Sequence, residues 1–314
     1  MHGRPLVIAH RGASGYLPEH TQEAKALAYA MGADYLEQDV VASRDDELIV
    51  SHDIHLDRVT DVAARFPGRQ RGDGRFYVRD FDLAELRTLN VHERLNDEGR
   101  AAFPGRFPVN KGQFRIVTLA QEIEMIQGLN RATGRDVGIY PEIKAPAWHR
   151  DEGIDLSRKL LDLLAGYGYQ SAKDRAFVQC FDAAEVARLK KDLGCPLRII
   201  QLIGENSWAE SETDYDQLKT PDGLRMTAAL ADGIGPWIGQ LYTLADIDGH
   251  PVSTGMVSAA QEAGLAVHPY TFRADALPPG FDSYAGLVRW FVDELKVDGL
   301  FVDFTDLTFR ALSR

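Results

Sequence analysis

Short apolar runs recur along this chain, separated by segments whose apolar residues return every three or four positions. Leu6-Val7-Ile8-Ala9 reads as a fully buried strand, and residues 19–31 carry helical periodicity as far as Gly32, a residue suited to ending a helix. Residues 34–41 predict a second strand, Arg44-Asp45-Asp46 a turn, and Leu48-Ile49-Val50 a returning strand that leads to Ser51-His52-Asp53. From residue 54 to 113 the periodicity fades. Phe66-Pro67-Gly68, Arg71-Gly72-Asp73-Gly74 and Phe103-Pro104-Gly105-Arg106 are loop compositions, and one short helix fits residues 82–89. Alternation then resumes. Helices are predicted over 118–129 (with Thr118 as N-cap), 154–167, 183–193, 222–231, 254–263 and 283–295. Strands are predicted at 137–142, 176–180, 197–202, 233–235, 265–268 and 297–302, with a short helix closing the chain. The acidic segment 204–216 reads as a solvated loop.

Eight principal strands with helices in most intervals, apolar on both faces, predict an α/β fold of the (β/α)8 TIM-barrel type. The expected organisation is one domain over residues 1–314, with residues 54–113 as a loop-rich subdomain inserted after the second-strand hairpin. An open doubly wound sheet would call for a glycine fingerprint after its first strand, and Gly12-Ala13-Ser14-Gly15 lacks the G-x-G-x-x-G spacing.

Composition narrows the partners. The chain has 314 residues, 45% of them hydrophobic, enough for a large core, and its net charge of -12 argues against nucleic acid or an anionic membrane surface. An anionic substrate must therefore be attracted by a few local cations or a metal. No apolar run approaches the ~18 residues of a membrane span, and the N-terminus has no signal-peptide core. Cys180 and Cys195 fall at opposite ends of neighbouring parallel strands, beyond the ~4.4–6.8 Å that a disulfide requires, so two free thiols are expected.

In a barrel, the C-terminal strand ends share one mouth, and there the polar residues gather. His10-Arg11 follows the first strand, Glu37 and Asp39 end the second, and His52 follows its hairpin partner. Glu142 with Lys144, Gln179-Cys180-Phe181, Gln201, His268 with Tyr270, and Asp303 end later strands. Glu37 and Asp39 stand two apart and project to the same side. With Glu142 from the next strand they make an all-oxygen donor set suited to Mg2+ or Ca2+. His10 and His52 bracket these carboxylates and can divide the work of general base and general acid. Arg11 and Lys144 can supply fixed positive charge to a phosphate, although Arg11 could instead pair with those same carboxylates. His20, Asp53, His55 and Asp57 lie nearby in sequence, either supporting this set or touching a ligand. Phe181, Trp237 and Tyr270 are an apolar wall or simple rim packing. No serine or cysteine triad, P-loop or cysteine metal motif is present.

His10-Arg11-Gly12 with Pro18-Glu19-His20-Thr21, Glu37-Gln38-Asp39-Val40, Ser51-His52-Asp53 and Pro141-Glu142-Ile143-Lys144 resembles, in order and spacing, the glycerophosphodiester phosphodiesterase family. The likeness continues through Val178-Gln179-Cys180-Phe181-Asp182, Ala231-Asp232-Gly233-Ile234-Gly235-Pro236 and Val267-His268-Pro269-Tyr270, so it spans nearly the whole chain. It looks closest to the bacterial periplasmic branch, whose members hydrolyse glycerophosphodiesters to glycerol 3-phosphate and an alcohol. His20 departs from the commonest pattern, which has asparagine there. The resemblance implies a barrel with an insertion after the His52 strand, and His10 and His52 as the acid/base pair. It further implies Glu37, Asp39 and Glu142 as ligands of a divalent metal, Ca2+ first and Mg2+ as the alternative.

Arg11 and Lys144 would hold the phosphate, with Gln179, Phe181, His268 and Tyr270 as further substrate contacts. The implied partner is a small glycerophosphodiester such as glycerophosphocholine, with no nucleic acid and no stable membrane insertion. The implied compartment is the periplasm, with the cytoplasm as the alternative. Attack by water and attack by the glycerol hydroxyl through a cyclic phosphate remain open. Two other readings compete: a lipid phosphodiesterase similar to sphingomyelinase D, which would want an apolar membrane-docking rim, and a non-catalytic phosphodiester-binding protein, which would not need two histidines.

Overall fold

Ten short strands and one of eight residues organise the computed structural model, which describes residues 4–109, 111–245 and 249–313. They are β1 (Leu6–Ala9), β2 (Tyr35–Ala42), β3 (Leu48–Val50), β4 (Gly138–Ile143), β5 (Phe177–Cys180), β6 (Arg198–Ile203), β7 (Gly233–Pro236), β8 (Tyr242–Leu244), β9 (Pro251–Ser253), β10 (Ala266–Val267) and β11 (Gly299–Val302). The first three residues of the opening stretch, where the sequence shows no signal core, lie outside the described residues.

Eight strands run parallel in the order β10-β7-β6-β5-β4-β2-β1-β11, with β3 antiparallel on β2. The open edges meet through the segment after β10. Asp298 donates its N–H to Val267 O at 3.0 Å, Phe301 to Pro269 O at 3.0 Å, and Phe272 to Phe301 O at 2.9 Å. A parallel bridge between Phe272 and Val302 completes the seam, so the strands form a nearly closed (β/α)8 barrel.

The elements sit close to where the apolar pattern places them. Thr21 caps the helix Gln22–Ala30, and Thr118 caps Leu119–Thr133 through a capping box with Gln121. Three segments differ. Residues 204–216 are mostly exposed, as a solvated loop would be, but they carry the turn Asn206–Trp208, and the helix Tyr215–Leu218 begins there with Tyr215 fully buried. A helix Pro146–Asp151 starts directly after Lys144, and β8 and β9 form a hairpin outside the barrel. Cys180 and Cys195 are buried free thiols.

Inside the barrel, side chains two apart on each strand stack in layers. Ile8, Tyr35, Tyr140, Phe177, Ile200 and Phe301 form an apolar plug. Directly above it on the same strands come His10, Glu37, Glu142 and Gln179. The plug is thus the floor of the polar mouth. Between β3 and the helix Leu119–Thr133, Leu56, Val62, Phe76, Phe81, Leu86 and Val91 build a satellite core that rests on Val41 and Ile49.

Behind β2, the helices Gln22–Ala30 and Leu119–Thr133 are joined by a fully buried ion pair, Lys25 Nζ to Glu122 at 2.8 Å. Removing one partner would leave the other charge without compensation in an apolar setting. Lys25→Met is expected to lower unfolding stability by ~3 kcal/mol in urea denaturation. The double variant Lys25→Met/Glu122→Leu is expected to recover most of that loss; equal losses in both would mean that the uncompensated charge is not the source of the destabilisation.

Candidate active site

β2 and β4 bring the carboxylates together. They pair in register with Asp39 opposite Glu142, and Glu142 in turn pairs with Gln179 on β5. One oxygen each from Glu37, Asp39 and Glu142 lie within 4.8 Å of one another, and all three residues are buried. Glu37 accepts from the Arg11 backbone N–H at 2.8 Å and from Gln179 Nε2 at 3.0 Å. Asp39 Oδ2 lies 2.6 Å from His20 Nε2, and Glu142 Oε1 lies 2.9 Å from Lys144 Nζ.

Burial, with the neighbouring Asp39 next, pushes the Glu37 carboxyl up to about 8. Burial raises Glu142 as well, well above the usual range. Burial acts on Asp39 in the same direction, but His20, His52 and Lys144 together outweigh it and keep Asp39 well below the ordinary carboxylate value. Asp39 Oδ1 is buried with no hydrogen-bond partner. A three-oxygen cluster with an unsatisfied buried acceptor and too little positive charge fits a hard divalent cation.

The loop that carries Arg11 is shaped for this contact. Arg11 adopts φ 60° and Gly12 φ 91°, turning the Arg11 N–H onto Glu37. A Cβ on Gly12 would stand 2.8 Å from the Ala24 backbone, so only glycine fits there.

Each histidine is held by a carboxylate through Nδ1. His10 Nδ1 lies 2.7 Å from Asp303 Oδ1 at the end of β11, and His52 Nδ1 lies 2.6 Å from Asp53 Oδ1. Burial raises the Asp303 carboxyl, but Arg273, His10 and Arg106 outweigh it and bring it well below its usual range, so it accepts the Nδ1 proton. Nε2 is then the nitrogen that faces a bound group, and in His10 it stands 3.9 Å from Glu37. Burial pushes His10 down to about 4, with the Arg11 charge acting in the same sense, and burial also lowers His52. Both imidazoles are neutral near pH 7.

His10, Arg11, Glu37, Asp39, His52, Glu142, Gln179, Phe181 and Tyr270 line one cavity of about 310 Å3. That size suits a small organic ligand. Arg11 also pairs with Glu19 at 3.0 Å and Asp39 at 3.6 Å, and Lys144 pairs with Glu142, so both cations share their charge with acids. His20 supports Asp39, while Asp53 supports His52; Asp57 instead pairs with Arg75.

His268 is a correction. Its ring is fully inside the barrel, with Nδ1 2.9 Å from the Tyr140 hydroxyl and its centroid 5.5 Å from that of Phe177. It packs with the aromatic plug, its backbone N–H bonded to Ile234 O of β7 just beyond the end of β10. Tyr270, two residues on, reaches the mouth and donates its hydroxyl to Ile203 O.

Other contributors escaped the sequence reading. Trp208 joins Trp237 at the cavity rim with ring centroids 5.6 Å apart, on a segment that looked like solvated loop. Arg94 bonds Glu19 at 2.6 Å and Asp53 at 2.7 Å, and Arg106 bonds Asp303 at 2.6 Å. Both come from the stretch without periodicity, where no local signal marks them. Arg273 lies five residues beyond His268 and could have been reached by following that strand end further. A second cavity of about 260 Å3 opens beside the first, lined by Arg94, Phe103, Arg106, Arg273 and the two histidines.

Comparison with known proteins follows the same lines. Residues 10–307 match the model of the glycerophosphoryl diester phosphodiesterase family. A glycerophosphodiester phosphodiesterase of Haemophilus influenzae is 42% identical over 96% of this chain and 88% of its own length. One of Treponema pallidum is 37% identical over 98% of this chain and 92% of its own. The fold resembles that of an Oleispira antarctica phosphodiesterase solved in complex with the product sn-glycerol-3-phosphate, with a TM-score of 0.65, 20% identity, and coverage of 99% of this chain and 98% of that one. It also resembles a glycerophosphodiester phosphodiesterase of Agrobacterium tumefaciens, with a TM-score of 0.62, 22% identity, and coverage of 97% and 98%.

The inward histidine gives a test of this placement. Burial holds His268 down to about 4 in the folded chain, below its ordinary value of about 6.5. As pH falls, the unfolded chain takes up the proton first. The stability tied to neutral His268 is therefore complete above about pH 6.5 and lost toward pH 4. His268→Asn is expected to flatten the stability–pH slope in that window, by roughly 1 kcal/mol per pH unit at most, in urea melts. An unchanged slope would place His268 in contact with solvent instead.

Proposed function

This chain belongs to the glycerophosphoryl diester phosphodiesterase family, and on that premise we propose that it hydrolyses glycerophosphodiesters, deacylated phospholipids such as glycerophosphocholine, to glycerol 3-phosphate and an alcohol. The observation that carries the reading is the pairing of two carboxylate-held histidines with a buried three-carboxylate cluster in one cavity. Glu37, Asp39 and Glu142 would hold a divalent ion, which when bound polarises the phosphoryl oxygens and stabilises charge developing on them. An all-carboxylate donor set suits Ca2+ or Mg2+, and Ca2+ is our assignment on the sequence resemblance, with Mg2+ the alternative.

The two Nε2 atoms of His10 and His52 take the proton work. One accepts a proton from the attacking hydroxyl, and the other delivers one to the leaving alcohol oxygen. Both rings are neutral at rest, and the negative charge of a bound phosphodiester raises the proton affinity of the ring that acts as acid. Asp303 and Asp53 fix the Nδ1–H tautomers and stabilise each imidazolium as it forms. Arg11 lines the cavity, Lys144 bears on it from behind Glu142 and Phe181, and both cations are already shared with acids, while Gln179, Phe181 and Tyr270 line the rest of the cavity.

Residues 54–113 act, in this reading, as an insert whose arginines brace the site, supported by the Arg94 and Arg106 ion pairs. The periplasm is our proposed compartment, on the sequence resemblance to that branch; cell fractionation decides between it and the cytoplasm. No helix of the described residues is long and apolar enough to cross a membrane.

Glycerol 3-phosphate should appear from glycerophosphocholine in the presence of Ca2+ and cease to appear with EDTA. Absence of product would overturn the activity, and EDTA-resistant product would remove the metal. His10→Ala and His52→Ala should each lower kcat by ~10²-fold or more with melting curves intact; near-normal rates in both would end the acid/base assignment. Glu37→Gln should weaken Ca2+ binding in calorimetry, and an unchanged affinity would take Glu37 out of the ligand set.

A further inference from the structure

Among the described residues around the mouth, the cations differ in how far acids already occupy them. Arg11 is held by Glu19 and Asp39, Lys144 by Glu142, and Arg94 by Glu19 and Asp53. Arg106 is held by Asp275 and Asp303 and by the Ser14 carbonyl. Arg273 stands apart. It makes one ion pair, from Nε to Asp303 Oδ2 at 3.0 Å, its guanidinium carbon lies 5.5 Å from the centroid of the Phe103 ring, and among the described residues no acid or carbonyl holds its two terminal nitrogens. Its side chain is 29% exposed, against 13% for Arg11 and 5% for Arg106.

Arg273 is also placed where the reaction would occur. With His10, Arg11 and His52 it lines both the metal-side cavity and the arginine-lined cavity beside it, so it stands at their junction. Asp303 fixes its direction by holding Arg273 on one oxygen and His10 on the other. The preceding residue, Phe272, is tied into the barrel seam through Val302 and Phe301, so the arginine springs from rigid backbone. An uncommitted planar fork beside a general acid/base histidine matches the geometry of two phosphoryl oxygens.

We infer that Arg273 is a substrate-contacting residue whose terminal guanidinium nitrogens hold the phosphoryl oxygens of the bound diester and of the glycerol 3-phosphate product. The inference rests on the glycerophosphodiester reading above. It shifts the main phosphate contact from Arg11 and Lys144, whose charges the site already uses, to an arginine that the first-strand and fourth-strand motifs do not contain.

The test is calorimetric binding of glycerol 3-phosphate, with glycerol as the uncharged control, to the Ca2+-loaded protein. Arg273→Gln should raise the Kd for glycerol 3-phosphate ~10-fold or more and leave glycerol binding unchanged. Arg273→Lys, which keeps the charge but loses the fork, should give a smaller rise, about threefold. KM for glycerophosphocholine should rise in step, with the pH profile of kcat unmoved. A Kd within twofold of wild type, together with a lower kcat and a shifted pH profile, would overturn the inference and leave Arg273 acting only on Asp303 and His10. If melting curves show that Arg273→Gln does not fold, Arg273→Lys decides: a wild-type Kd there overturns the forked contact. A wild-type protein that releases no product would sink the activity, whereas loss of glycerol 3-phosphate binding in the variants would still support the phosphoryl contact.

Discussion

Three carboxyl groups buried side by side set the terms for this molecule. Glu37, Asp39 and Glu142 stand side by side above an apolar plug, and burying that much like charge is costly unless it is answered group by group. The answers come from everywhere in the chain. The Arg11 backbone and Gln179 take Glu37, His20 takes Asp39, and Lys144 takes Glu142. One Asp39 oxygen is left over. The cluster therefore offers a cation site at one point, and the Arg11 loop is bent to hold that point fixed.

The same principle orders the histidines. A buried imidazole offers a defined nitrogen to a ligand only if the other nitrogen is tied, and the two rings are tied differently. His10 depends on Asp303 from the last strand, so its orientation requires the barrel to close. His52 depends on its sequence neighbour Asp53, which needs Arg94 from the insert to hold its far oxygen. Arg94 passes on to Glu19, and Glu19 to Arg11, so the first loop, the hairpin and the insert form one ionic chain around the mouth. Segments far apart in sequence share the task of keeping the two imidazoles pointed into one cavity.

Packing decides what each strand presents. On β4, Tyr140 falls in the plug and Glu142 in the mouth; on β5, Phe177 and Gln179 divide in the same way. The two-residue repeat alone makes that assignment for long strands. The same repeat continues past β10, which is only two residues long: the ring of His268 falls in the plug and Tyr270, two residues on, takes the position at the mouth. The irregular stretch 204–216 shows the converse: an acidic, loop-like composition hides Tyr215 packed in the core and Trp208 at the cavity rim.

The chain's own pattern was sufficient for the barrel and for the placement of His10, His52, Glu37, Asp39 and Glu142 around one cavity. Each of these sits at the end of an apolar strand, and strand direction is a local property that hydrophobic periodicity encodes. It also carried Thr118 as a helix cap and the separate fates of Cys180 and Cys195, since both follow from position along an element. Only the tertiary structure could bring Asp303 onto His10, set Arg94 and Arg106 against acids from the first and last strands, and show which cations are already neutralised. Those facts depend on which charged groups meet across a closed ring of strands. Long-range ionic pairing leaves no periodic trace in the sequence, because it is fixed by where the backbone finally passes rather than by the residues beside it.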